Sequence, residues 1–180
     1  MPAVRSTRPP ARRLVVLLRL QNRVAVMPVY PLEWRDPSLN IGYGNMSRRD
    51  LPIWLRFVEQ YHQRLQRVAY NVAFGGQIPD DPGATEDQLL GYQWSTAFKV
   101  DVLADVGDEW WLIEVKPSPD LGAVGQVIGY YLLQEREQFT ERIVIPTIVT
   151  DFMVPDVAYV AQAMNVQVFL VPEVDRATLV

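Results

Sequence analysis

Apolar and polar positions follow recognisable periods over most of this chain, and those periods outline its elements. Residues 1–13, MPAVRSTRPPARR, have no period, three prolines and four arginines, and read as an extended arm. RLVVLLRLQNRVAVMPV supplies one or two strands with QN as a turn, and YPLEWRDPSLNIGYGN reads as loop. Ile53, Phe57, Tyr61, Leu65, Val68 and Val72 recur at helical spacing, with Ser47 or Asp50 to cap the helix and Pro52 in its first turn. That helix is predicted to run to AFGG, and QIPDDPGATED to be loop. LLGYQWSTAFKVDVLAD reads as one strand, or two with a bend. VGDE then turns it into DEWWLIEVKP, making a hairpin.

PSPD breaks the pattern. LGAVGQVIGYYLLQERE resumes it as a helix whose apolar stripe is Val124, Val127, Ile128, Tyr131 and Leu132. ERIVIPTIVTD, PDVAYVAQAMN and VQVFLVP follow as strand, helix and strand. Helices and strands in this order predict an α/β fold, a mixed sheet with helices packed on it. The expected organisation is a single domain: an arm and strand extension over 1–46, and a core over 47–180.

Composition narrows the class. A hydrophobic content of 49% with 21% charged residues is that of a soluble globular protein. The absence of cysteine excludes disulfides and cysteine-containing zinc sites, and suits a cytoplasmic setting, or a host cytoplasm for a phage-encoded chain. LVVLLRL is too short to span a bilayer, carries Arg19 and lacks a clean cleavage site, so neither a membrane segment nor a signal peptide is expected. The net charge of −4 hides an asymmetry. Residues 1–79 hold twelve basic and four acidic side chains, whereas the remainder holds five and seventeen. A genome rich in arginine codons explains this, and so does a basic face for phosphates beside an acidic pocket for a cation.

The candidate chemistry lies in the hairpin. Asp101 sits among Val100, Val102 and Leu103, where an ionised carboxylate is costly unless paired or bound to a cation. Counting back from VGDE, Asp101 and Glu114 lie at similar distances along the two arms, so they are near cross-strand neighbours. Two carboxylates so placed raise each other's pKa unless a cation lies between them, and Mg²⁺ or Mn²⁺ takes oxygen ligands of this kind. Lys116, one pleat beyond Glu114 on the same face, could orient or deprotonate a water or neutralise developing charge. These are parts for phosphodiester hydrolysis. The competing reading is an ion pair at a strand end with no chemistry.

VDVLADVGDEWWLIEVK resembles the signature of the PD-(D/E)XK nuclease superfamily, with Val100 in place of the name-giving proline. The resemblance implies a restriction-endonuclease-like fold with a core of helix, three strands, helix and strand, matched here over about 50–150. It implies Asp101 and Glu114 as metal ligands, the Val115 carbonyl as a further ligand, and Lys116 as the assistant of a Mg²⁺-activated water. Gln126 and Tyr130 form a Q-x-x-x-Y pattern like that of exonuclease and recombination-type members. Both are expected on the side of their helix away from the Val124–Val127–Tyr131 stripe, to orient a phosphate or support the lysine. Relatives often place a Glu on the first core helix as a ligand, which here would be Glu59.

Other signals carry less. Gly122, Gly125 and Gly129 fit no phosphate-loop spacing, and close helix packing or room for substrate explains them as well as a nucleotide site does. His62 alone makes no zinc site, and no G-x-S-x-G is present. Trp54, Arg56, Arg64 and Arg67 could touch nucleic acid or form a solvated helix face. The expectation is a Mg²⁺- or Mn²⁺-dependent nuclease acting on DNA rather than RNA, without membrane contact, as a homo-oligomer or within a larger DNA-processing complex. The alternative is a catalytically silent nuclease-fold protein serving as a DNA-binding or assembly module.

Overall fold

The computed structural model describes residues 32–37, 43–44, 46–137 and 139–173. The strands read over 13–29 lie outside them. The elements are α1 (Leu51–Tyr61), β1 (Arg67–Phe74), α2 (Glu86–Thr96), β2 (Phe98–Asp105), β3 (Glu109–Lys116), α3 (Leu121–Glu137), β4 (Ile143–Thr150), α4 (Pro155–Ala163) and β5 (Gln167–Leu170). Five strands form one mixed sheet in the order β1-β2-β3-β4-β5. The first three run antiparallel, and β3, β4 and β5 run parallel. The α/β reading and the β2–β3 hairpin agree with this sheet. No helix among the described residues is long and apolar enough to cross a membrane.

Two predicted elements differ. The first helix stops at Tyr61, where the chain tightens into a 3₁₀ turn over His62–Arg64, and 67–74 is a strand rather than more helix. Val68 and Val72 extend the helical spacing, but RVAYNVAF pairs along β2 from Arg67↔Asp105 to Phe74↔Phe98, and that pairing overrides the spacing. Residues 89–96, read as strand, form α2 together with Glu86 and Asp87, read as the end of the loop before it. Thr85 starts it with a reciprocal cap: its Oγ1 accepts the Gln88 N–H at 3.3 Å, and its own N–H donates to Gln88 Oε1 at 2.9 Å. α2 buries only Gln93, so it has no apolar stripe to reveal it.

The sheet has a core on each face. α1 lays Ile53, Trp54 and Phe57 against Val68, Val102, Trp111, Ile113 and Val115. On the other face, α3 and α4 lay Val124, Val127, Tyr130, Val157 and Ala161 against Val72, Val100, Leu103, Leu112 and Ile148. Strand alternation therefore places Leu112, Glu114 and Lys116 on the α3 side.

One irregularity matters for the site. The β1–β2 ladder pairs Tyr70 with Val102 and Val72 with Val100, but skips the step between them, Asn71 and Asp101. Asn71 has φ 55°, a left-handed conformation inside a strand. Across this step both strands change faces: Val68 and Val102 join the α1 core, whereas Val72 and Val100 join the α3 core. The β2–β3 ladder also ends here, its last pair being Val102↔Ile113. Asp101 sits at the mouth of the gap so opened.

Candidate functional site

Glu114 and Asp101 meet where β2 and β3 part. The Asp101 side chain replaces the lost ladder, its Oδ2 accepting the Val115 N–H at 2.9 Å. The N–H and C=O of one strand residue point to the same side, so the Val115 carbonyl faces the same gap. Glu114 is 1% exposed. Its Oε1 accepts from Lys116 Nζ at 2.9 Å, and its Oε2 is buried without a hydrogen-bond partner. Such an orphan is costly and rare, and calls for an account.

The electrostatics match the geometry. Burial, and then the charge of Asp101, pushes the Glu114 carboxyl up to about 7, with Lys116 acting in the opposite direction. Burial raises Asp101 as well, against the Val115 hydrogen bond and the Lys116 charge. Burial lowers Lys116, but its hydrogen bond to Glu114 and the charges of Glu114 and Asp101 outweigh this and hold it above its ordinary value. Asp101, Glu114 and Lys116 are thus brought together as expected.

Tyr130 reaches the site from α3, though not as predicted. It lies on the buried stripe of that helix with Val124 and Val127, whereas Tyr131 is half-buried and Leu132 is exposed. The alternation of the sheet decides this: α3 covers the face that carries Glu114, so the side chain over the gap must be a buried one. The exposed Gln126 donates its side-chain amide to the Tyr130 hydroxyl. Burial raises the Tyr130 phenol, and Glu114 and Asp101 raise it further, which puts the hydroxyl within their field.

Glu59 is not brought to this group. It is exposed on α1, and its charge does not act on Asp101, Glu114 or Lys116. Asp50, at the start of the same helix, does act on all three. It is 8% exposed and its side chain caps nothing. Ser47 caps instead, its Oγ accepting the N–H groups of Arg49 at 3.1 Å and Asp50 at 3.2 Å. Helix-start chemistry assigned Asp50 to capping and so concealed it; the signal was an acid behind two arginines, in SRRD.

The four residues considered for nucleic-acid contact are occupied or hidden. Trp54 is fully buried and donates to Tyr70 Oη at 3.0 Å. Arg56 pairs with Asp151 and donates to the Val171 carbonyl at 3.0 Å. Arg64 lies 4.5 Å over the Trp111 ring, and Arg67 holds Asp105 at 3.0 Å. His62 contacts the Glu59 carbonyl through Nδ1 at 3.2 Å. A Cβ added at Gly125 or Gly129 would meet open space, so these glycines serve no close helix packing.

Among the described residues, no three His, Cys, Asp or Glu side chains lie close enough together to hold a metal ion. The donors that converge are the two carboxylates and the Val115 carbonyl, all hard oxygens, and the Glu114 orphan gives one of them an unused lone pair. That set fits Mg²⁺ or Mn²⁺, which retain waters and need few protein ligands. Comparisons with protein-family models, with characterised proteins and with solved structures find no match for this chain.

Proposed function

We propose that the protein is a metal-dependent nuclease of restriction-endonuclease-like fold that hydrolyses DNA phosphodiester bonds. The observation that carries this reading is Glu114: a buried carboxylate with one oxygen unpartnered, facing a second carboxylate across a strand gap. Asp101, Glu114 and the Val115 carbonyl would hold Mg²⁺ or Mn²⁺. The ion would supply charge stabilisation at the phosphoryl oxygens and a more acidic water.

The chain's own residues then have distinct tasks. As long as the carboxylates carry their charge uncompensated, Lys116 stays protonated and acts as a cation toward the phosphate. Its hydrogen bond to Glu114 and the surrounding carboxylate charges outweigh burial, so its Nζ would keep its proton and stabilise negative charge developing on the phosphate. Tyr130 and Gln126, already hydrogen-bonded to each other, would orient a phosphate oxygen from the α3 side.

Incubation of the protein with plasmid and linear DNA, with Mg²⁺ or Mn²⁺ and with EDTA, tests the proposal. Cleavage dependent on the ion is expected, and Asp101→Ala and Lys116→Ala should each abolish it. Cleavage that survives either substitution would sink the assignment. Titration with Mn²⁺ by calorimetry separates the enzyme from a silent nuclease-fold module. The enzyme requires a site that Glu114→Ala removes.

A further inference from the structure

We infer that Arg48 and Arg49 are the residues that bind the phosphate backbone of the substrate beside the candidate site. This inference rests on the nuclease reading. Of the seventeen Lys and Arg side chains, ten fall among the described residues. A census of these ten singles out the pair. Carboxylates hold Arg35, Arg56, Arg67, Arg136 and Arg142. Glu114 holds Lys116, the Trp94 carbonyl accepts from Lys99 at 2.7 Å, and the Trp111 ring carries Arg64. Arg48 and Arg49 are exposed, and neither guanidinium has a partner among the described residues.

Their position gives that freedom a meaning. They follow Gly44, which packs on Asn71 at the step opposite Asp101, and directly precede the buried Asp50, whose charge acts on Asp101, Glu114 and Lys116. The Ser47 hydroxyl fixes the turn that carries them by accepting two backbone N–H groups. Two guanidinium groups without a partner among the described residues are thus carried on the segment that leads past the kink opposite Asp101, where a carboxylate pair would otherwise repel a polyanion. Guanidinium groups match phosphate oxygens in geometry, and each phosphate they neutralise releases counterions. The ligand class is a nucleic-acid backbone, bound at phosphates flanking the one that reacts.

The test measures affinity for a short fluorescent DNA duplex across a range of salt, with Ca²⁺ in place of Mg²⁺. Arg48→Gln/Arg49→Gln should lower the slope of log K against log salt by about 2, roughly 0.9 for each lost contact, and weaken binding at low salt by about tenfold or more. Mn²⁺ titration and thermal melting of the double variant should match the wild type, and Arg48→Lys/Arg49→Lys should restore most of the slope. Arg64→Gln removes a single exposed guanidinium beyond the other end of α1 and should leave the slope unchanged. An unchanged slope in the double variant overturns the inference, as does an equal fall in Arg64→Gln. If the wild type binds Mn²⁺ but no DNA, the nuclease reading falls and takes this inference with it.

Discussion

Glu114 carries more of the physics than any other residue. Its carboxyl ionises at about 7 in the folded chain and near 4.5 when exposed. The ionised form is therefore penalised by folding above pH 7, and the penalty vanishes below about 4.5 as both states take up the proton. Glu114→Gln keeps the shape and removes the charge. Without metal, it should raise stability at pH 8 by about 2 kcal/mol and leave it unchanged at pH 4, measured by urea unfolding. The loss of its partnership with Lys116 limits the gain only slightly, since that ammonium is 37% exposed. Metal competes with the same proton. Mn²⁺ affinity should rise about tenfold per pH unit up to about 7 and then level, as calorimetric titration would read. An affinity flat from pH 5 to 8 would remove Glu114 from the ligands. These residues were legible in the sequence because strand alternation fixes faces: a Glu and a Lys two apart must share one. Asp50 was not, because a helix start gives an acid a sufficient local reason to be there.

The elements that position these groups are set by two backbone irregularities, and neither has an apolar period to announce it. Asn71 takes φ 55° opposite Asp101, at the step where β1 and β2 change faces. Gly44, itself at φ 63°, packs so closely on it that a Cβ there would lie 3.0 Å from the Asn71 Cβ. Asn71→Gly should preserve both fold and Mn²⁺ affinity, because glycine adopts this conformation freely. Asn71→Val should cost about 1–2 kcal/mol in unfolding experiments and weaken Mn²⁺ binding by displacing Asp101. If the valine variant loses stability but binds Mn²⁺ normally, the kink serves the sheet alone. Gly76, after β1, has φ 89°, and a Cβ there would lie 2.4 Å from the Gln93 carbonyl oxygen. That carbonyl belongs to α2, which is tied to the β1 end by Gln93 donating to the Gly75 carbonyl at 3.3 Å and by the Gln77 N–H donating to Thr96 Oγ1 at 2.8 Å. Gly76→Ala should therefore lower stability by about 2–4 kcal/mol on thermal unfolding. The hairpin, α3 and the last three elements were legible because their periods persist where they are buried. α2 escaped because it buries a glutamine instead of an apolar stripe, and β1 because two of its valines continue the spacing of the helix before it.

Over the whole molecule, the sheet holds its charges in opposite ways at its two ends. At the far end of the β2–β3 hairpin, Asp105 is 1% exposed and fully engaged. Arg67 of β1 reaches it at 3.0 Å, Arg142 before β4 at 2.9 Å, and the Gly107 N–H at 3.1 Å. Burial works against its ionisation, but the Gly107 bond and the two arginines prevail and hold its pKa below 3.8. A depressed carboxyl stabilises the fold above its unfolded pKa and loses that contribution as pH falls through its folded value. Glu114 at the other end is raised, so it favours the fold at lower pH and loses ground as pH climbs toward 7. The two opposed limbs give the metal-free protein its greatest stability at about pH 4 to 4.5, above which the Glu114 penalty grows until about pH 7. Saturating Mn²⁺ binds the ionised Glu114 and should cancel the alkaline limb, moving the maximum above pH 7. Melting curves across pH, with and without the ion, would show this. Glu114→Gln should flatten the alkaline limb without affecting the acid one. Asp105→Asn should flatten the acid limb and lower the plateau, because it leaves two arginines facing a neutral amide. A profile indifferent to Mn²⁺ in the wild type would mean that the strained end of the sheet holds no cation, and the satisfied and unsatisfied carboxylates would then differ in packing alone.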